Sequence, residues 1–301
     1  MRIGVDFGGT KIEAAALSPD GAFAARLREP NPGSYDAAIE TVARLIARVE
    51  AEAGAAPGGP VGVAIPGSPS PHTGLIRNAN SVWLNGRPFA ADLEAALGRP
   101  VRLANDADCL AVSEARDGAG AEAKTVFAAI LGTGCGGGIV VDGRLISGAN
   151  GIAGEWGHTP LPWPDAEEWP GPDCWCGRRG CLELWLSGSG LQRDHLERTG
   201  QALKAETVIA AARTGNAAAA DTLNRHVDRL GRALAVIADI LDPDVFVLGG
   251  GLSNVAELYE HLPPLIARHA FADRWEGRVA PARWGDSSGV RGAAWLWDAA
   301  G

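Results

Sequence analysis

The chain has 301 residues, 46% hydrophobic and 21% charged, with a formal net charge of −9. This excludes wholesale disorder and leaves room for one large or two ordinary domains whose core needs no disulfide staples. No Lys/Arg block is present, which speaks against gripping nucleic acid as the main business, although backbone N–H groups and Mg²⁺ still let an acidic chain bind a nucleotide.

In chain order, residues 2–7 read as a short apolar strand, Gly8-Gly9-Thr10-Lys11 as a tight turn, and residues 13–17 as a second strand. Pro19-Asp20-Gly21 turns the chain into a third strand over 22–28. Ser34 is placed to cap a helix over 35–53, where Ile39, Val42, Leu45, Ile46 and Val49 share one face. A strand over 61–65 ends at Pro66-Gly67. A helix over 93–97, a strand over 101–104 and a helix over 107–115 follow, with Asn105-Asp106 at the last junction. Strands over 125–131 and 138–141 flank Gly132-Thr133-Gly134-Cys135-Gly136-Gly137. Residues 156–181 are irregular and rich in Pro, Gly and Trp. Helices are expected over 206–213, 217–241, 254–269 and 290–297, with a strand over 245–248 running into Gly249-Gly250-Gly251. A strand closed by a glycine turn occurs near residue 6 and again near residue 130, as two halves built on one plan would produce.

No targeting segment is visible: the N-terminus reaches Asp6 without the apolar core of a signal peptide. The uncharged stretch 125–141 holds five glycines and is too short to span a membrane. The five cysteines are an odd number, and three fall within eight residues, so metal binding in a reducing cytoplasm is expected rather than a disulfide framework.

Three glycine turns after strands point to phosphate. Gly8 and Gly9 let backbone N–H groups approach phosphate oxygens, Thr10 adds a hydroxyl and Lys11 a cation, and Asp6 is placed to hold Mg²⁺ through water. Lys11 is one of only three lysines beside 24 arginines. Gly132-Thr133-Gly134 could hold the other side of a phosphate chain, and Gly249-Gly250 the nucleoside end. Singly, each is an ordinary hairpin or helix start, and none is a Walker or full Rossmann motif; together, with an acid before the first, they favour nucleotide binding.

Cys174, Cys176 and Cys181 have the C-x-C-x4-C spacing of a zinc loop, and His158 would complete a Cys₃His tetrahedron, with His195 as competitor. Four protein ligands leave no open position, so the site is expected to be structural. Asp106, at a strand-to-helix junction, is either a helix cap or a general base. Glu155 and Glu183 flank the metal loop, where they could accept hydrogen bonds from a polyol or support the metal.

Asp6-x-Gly8-Gly9-Thr10-Lys11, Glu155-x-Gly157-His158 and Cys174-x-Cys176-Gly177-x-x-Gly180-Cys181-x-Glu183 together resemble the ROK family of repressors, open reading frames and kinases. Asn78-Ala-Asn80-Ser-x-Trp83-Leu-Asn85-Gly86 and the segment from Gly285 to Leu296 are similar to the family's bacterial manno(fructo)kinases. The resemblance implies an α/β, actin-like, hexokinase-type ATPase fold (ribonuclease H-like) with two α/β domains flanking a cleft. Residues 1–104 plus 290–301 would form the small domain, and 105–289 the large one with its zinc-binding sugar loop at about 155–183. It implies Asp106 as base, and Gly67, Asn80, Asn105, Asp106, Glu155, His158 and Glu183 as sugar ligands. His158 would serve zinc as well. ATP, Mg²⁺ and structural Zn²⁺, a hexose substrate and a homodimer are the expected partners, without nucleic acid or membrane. The expected reaction is phosphorylation of the 6-hydroxyl of D-fructose, and of mannose as a second substrate. Glucokinase or N-acetylglucosamine kinase activity is the alternative. A sugar-responsive regulator is the remote one, because no helix-turn-helix precedes the first strand.

Overall fold

The computed structural model describes residues 1–298. They divide into two compact units: Met1–Glu122 with Gly138–Gly154 and the segment from Arg283, and Ala123–Gly137 with Glu155–Ala282. Among the described residues no helix is long and apolar enough to cross a membrane.

The first unit is built on a five-stranded sheet of order β3-β2-β1-β4-β7. Its strands are β1 (Arg2–Phe7), β2 (Lys11–Leu17), β3 (Phe23–Pro30), β4 (Val61–Ile65) and β7 (Val101–Asn105). β1, β2 and β3 form an antiparallel meander, while β4 and β7 join β1 in parallel. β1, β2 and β4 are buried almost throughout, whereas β3 alternates half-buried and exposed residues. Helix α1 (Tyr35–Ala53) lays Ala38, Val42, Leu45, Ile46 and Val49 on the sheet and stops at left-handed Gly54. A short hairpin of β5 (Ser68–Pro69) and β6 (Ile76–Arg77) precedes α2 (Phe89–Leu97). α3 (Asp106–Asp117) follows β7 directly, and α9 (Ser288–Trp295) closes the unit. α9 sits close to the sheet backbone because of Gly4 and Gly62: a Cβ on Gly62 would stand 1.8 Å from the Ala293 carbonyl oxygen.

The second sheet has the order β10-β9-β8-β11-β12. It comprises β8 (Thr125–Leu131), β9 (Cys135–Val141), β10 (Arg144–Leu145), β11 (Val245–Gly249) and β12 (Arg278–Pro281). β11 pairs in parallel with both β8 and β12. The second unit adds α4 (Glu183–Leu186), α5 (Gly188–Thr199), α6 (Ala205–Arg213), the long α7 (Ala217–Leu241) and α8 (Glu257–His269). The repeated strand order accounts for the echo between the turns near residues 8 and 132.

Several elements differ from the sequence reading. β9 begins at Cys135, so Gly136–Gly138 lie in a strand despite their weak strand preference. α5 opens on glycines that hide it from propensity, with the Ser187 side chain accepting from the Gly190 N–H. α2 starts at Phe89, ahead of the expected 93, and α8 starts at Glu257, after a single 3₁₀ turn. α3, expected to open the large domain, lies in the first unit with α9, where a Cβ on Gly292 would stand 1.8 Å from the Cys109 carbonyl oxygen.

Candidate active site

In the first unit, β1 delivers Asp6 to the start of the 8–10 turn. The turn closes through Gly8 N–H donating to the Lys11 carbonyl at 3.0 Å. Asn31 braces it from the end of β3: its side-chain amide donates to the Gly8 carbonyl at 2.8 Å, and its backbone N–H to the Thr10 carbonyl at 3.0 Å. Gly9 and Thr10 stay exposed, as a phosphate cradle requires. Asp6 pairs in register with Glu13, a buried carboxylate bonded to Arg26 and Arg28. Burial first, then repulsion from Asp106 and Glu13, pushes the Asp6 carboxyl up to about 6, against the pull of Lys11 and Arg28. A divalent cation would relieve this crowding of carboxylates.

Asp106 is exposed at the first helical position of α3. The capping role open to it in the sequence belongs to Asn105, whose side-chain oxygen accepts from the Asp108 N–H at 2.5 Å. Asp106, one residue further on, accepts from the Ala107 N–H at 2.9 Å through Oδ1 and stands at the positive helix end beside that cap. Gly67 lies against Arg77 and Ala79, and exposed Asn80 follows Ala79 in a loop that Asn85 pins. The Asn85 amide donates to the Ala79 carbonyl and accepts from its N–H, both at 2.9 Å. That positioning role gave no signal beyond the family motif.

In the second unit, the 132–134 turn joins β8 to β9 and closes through Gly132 N–H donating to the Gly134 carbonyl at 3.0 Å. The N-terminus of α5 supports it, with Gly188 N–H donating to the Gly132 carbonyl at 2.7 Å and Ser189 Oγ to the Thr133 carbonyl at 3.1 Å. Gly249 ends β11 and Gly250 follows at φ 80°; a Cβ on Gly250 would stand 2.7 Å from the Leu131 carbonyl carbon. Two of the three glycine turns are thus brought together.

The metal loop lies in the same unit. His158, Cys174, Cys176 and Cys181 offer ligand atoms all within 4.8 Å of one another. Cys176 and Cys181 sulfurs are 3.6 Å apart, and Cys174 Sγ lies 3.7 Å from His158 Nδ1. Tetrahedral zinc with bonds of about 2.3 Å places sulfurs about 3.8 Å apart, so the cluster fits that ion. Gly177 and Gly180 both take positive φ in the loop. His195 is elsewhere, buried on α5 with Nδ1 3.0 Å from Thr222 Oγ1.

Glu155 is half-buried, just before the 3₁₀ turn Trp156–His158. Glu183 opens α4 and links two parts of the site: Oε1 accepts from Trp175 Nε1 at 2.9 Å and Oε2 from the Cys135 N–H at 3.2 Å. Trp175 meets His158 edge-on at 4.9 Å. Of the other tryptophans, Trp156 is buried against Phe127 and Trp83 packs on Phe7.

The segment before Cys174 carries an anchor that the sequence did not reveal. Glu168 is buried and accepts from Arg229 Nε at 2.7 Å and Arg232 Nη2 at 2.9 Å. Arg232 also donates to the carbonyls of Pro162 and Trp163, each at 2.8 Å. Burial pushes the Glu168 pKa up, but the bonds from Arg232 and Arg229 outweigh it and hold the carboxyl below its ordinary value.

The ROK family model matches residues 2–300. The chain belongs to the ROK family. Among its relatives, the N-acetyl-D-glucosamine kinase of Photobacterium profundum is 40% identical over 98% of this chain and 99% of its own. That of Vibrio cholerae is equally similar, with the same coverage. A ROK hexokinase from Thermus thermophilus superposes with a TM-score of 0.87 at 32% identity, covering 98% of this chain and 96% of that one. A ROK glucokinase from Streptomyces griseus, solved with glucose and AMPPNP, gives 0.79 at 28% identity, with 98% of both chains covered. The fold of this ROK protein is therefore the mixed α/β, hexokinase-type fold. The relatives named are N-acetyl-D-glucosamine kinases where the sequence motifs favoured a manno(fructo)kinase.

Proposed function

We propose that this ROK protein is an ATP-dependent sugar kinase that phosphorylates the 6-hydroxyl of N-acetyl-D-glucosamine. The observation that carries the choice of sugar is full-length similarity at 40% identity to kinases of that name. The fructose reading yields to it, since that reading rested on short motifs.

In the first unit, Asp106 takes the proton of the sugar 6-hydroxyl, whose oxygen attacks the γ-phosphorus as the bond to the β-phosphate oxygen breaks and ADP leaves. On the turn that Gly8 opens, the N–H groups of Gly9 and Thr10, the Thr10 hydroxyl and Lys11 hold phosphate oxygens. Asp6 would hold Mg²⁺ through water; the ion neutralises phosphate charge. Gly67, Asn80 and Asn105 accompany Asp106 on the sugar. In the second unit, the backbone of Gly132–Gly134 and of Gly249–Gly250 serves the nucleotide. Glu155, His158 and Glu183 bind sugar hydroxyls. His158, Cys174, Cys176 and Cys181 would hold Zn²⁺ with no position left open, so its contribution is a stiff loop. Reduced thiols suit a cytoplasmic enzyme, and light scattering would read the homodimer that the family resemblance implies.

An ADP-release assay on N-acetylglucosamine, glucose, mannose and fructose tests this reading. The highest kcat/KM is expected for N-acetylglucosamine. A higher value for fructose would restore that sugar as the substrate, and no sugar-dependent ADP release would end the kinase assignment.

A further inference from the structure

Glu114 takes no part in the chemistry above, yet its side chain joins two elements that carry that chemistry. It lies on α3, fully buried, and among the described residues its four side-chain hydrogen-bond donors are neutral. Oε2 accepts from the N–H groups of Ala119 at 2.8 Å and Arg283 at 2.9 Å. Oε1 accepts from the Trp284 N–H at 3.1 Å and from Ser288 Oγ at 3.1 Å. A desolvated carboxylate is tolerable only when it is bonded this fully.

Three of those donors lead into α9, and the next residue, Gly289, backs onto Asp6. A Cβ on Gly289 would stand 2.9 Å from Asp6 Oδ2. The opposite end of α3 is Asp106. We infer that Glu114 is a positioning residue for phosphoryl transfer: by fixing residues 283–288 to α3, it sets where the α9 backbone meets Asp6, and so places Asp6 relative to Asp106. The inference rests on the roles proposed above for Asp6 and Asp106. Beyond its first turn α9 is also held through Gly4, Gly62 and Gly292, so loss of the Glu114 bonds shifts that first turn, where Gly289 meets Asp6, without unseating the helix.

The test is steady-state kinetics at varied Mg²⁺ together with thermal unfolding, for Glu114→Gln and Gly289→Ala. Gln keeps the shape, but its amide nitrogen cannot accept, so two of the donors lose their partner. For Glu114→Gln, kcat should fall about tenfold and the Mg²⁺ needed for half-maximal rate should rise about threefold, with sugar KM within about twofold of wild type. Gly289→Ala keeps every Glu114 bond and presses on Asp6 directly. It should raise the Mg²⁺ requirement similarly with an unchanged unfolding temperature; if Glu114→Gln does not fold, Ser288→Ala, which removes one donor from Glu114, takes its place and should raise the Mg²⁺ requirement in the same direction. A wild-type Mg²⁺ requirement in the folded variants would overturn the inference, whatever their stability. Asp106→Asn separates the two levels: if it is inactive while the Mg²⁺ requirement of the others is unmoved, only this inference falls. If it turns over normally, the assignment of Asp106 as the base fails, and this inference, which rests on that assignment, fails with it.

Discussion

The turns at 8–10 and 132–134 hold equivalent places in two sheets of one strand order, yet they are braced and charged differently. The first is tied by Asn31 and lies two residues past Asp6, a carboxylate crowded by Glu13 and Asp106. The second leans on the α5 backbone and on Gly250, and its position equivalent to Asp6 is Ile130. A repeated plan supplies two backbone cradles, but only the first carries an acid in strand register beside a second buried acid. Charge handling belongs to one copy, and neutral cradling to the other.

Asp106→Asn strikes the charged copy hardest. Turnover should fall about 10³-fold, the range lost when a general base is removed, while calorimetric titration still shows sugar binding. Turnover within about tenfold of wild type would show that the carboxylate is not the base.

Asp6→Asn makes the first turn as neutral as the second. Turnover and its stimulation by Mg²⁺ should fall about 10²-fold. The free protein should gain stability, with a sign that can be worked out. The folded-state pKa is raised from 3.8 to about 6, so ionising Asp6 opposes folding fully above about pH 6 and not at all below about pH 4. Urea unfolding near pH 7 should therefore find the variant more stable by on the order of 2 kcal/mol, and the gain should vanish near pH 4. At limiting Mg²⁺, wild-type activity should drop as pH falls through about 6; a flat profile there would separate Asp6 from the metal.

Most of the longer strands, the glycine turns and the thiol cluster were legible because each has a local signature: alternation or apolar runs, glycine after a strand, and sulfur spacing. Asp106 was ambiguous between cap and base until Asn105 was seen to make the cap bond. Glu114, Glu168 and Asn85 were not legible. Their partners in the C-terminal segment, on α7 and in the loop before residue 85 lie 169, 61 and 6 residues away, and nothing in a helix or turn pattern announces these side-chain acceptors. α5 was missed because capping and tertiary contacts outweigh the poor helix preference of its opening glycines.

Stripping the metal loop should loosen the second unit and spare the first. After chelation, or in Cys181→Ser, sugar KM should rise about tenfold and the unfolding temperature should fall, with zinc release read by a colorimetric chelator. Unchanged KM and stability, with no zinc released, would remove the metal from the account. The smallest effects should come from the neutral cradle. Gly250→Ala, strained at φ 80° and blocked by Leu131, should cost on the order of 1–3 kcal/mol and raise ATP KM. Gly251→Ala, with open space around its Cβ, should stay within about 0.5 kcal/mol of wild type.

The most direct single test is phosphorus and proton NMR of the product made from N-acetyl-D-glucosamine and ATP. A phosphate on O6 of the sugar, formed in step with ADP, is the expected spectrum. Phosphate at the anomeric or another hydroxyl, or an unmodified sugar after ATP has been consumed, would contradict the assignment of Asp106 to the 6-hydroxyl.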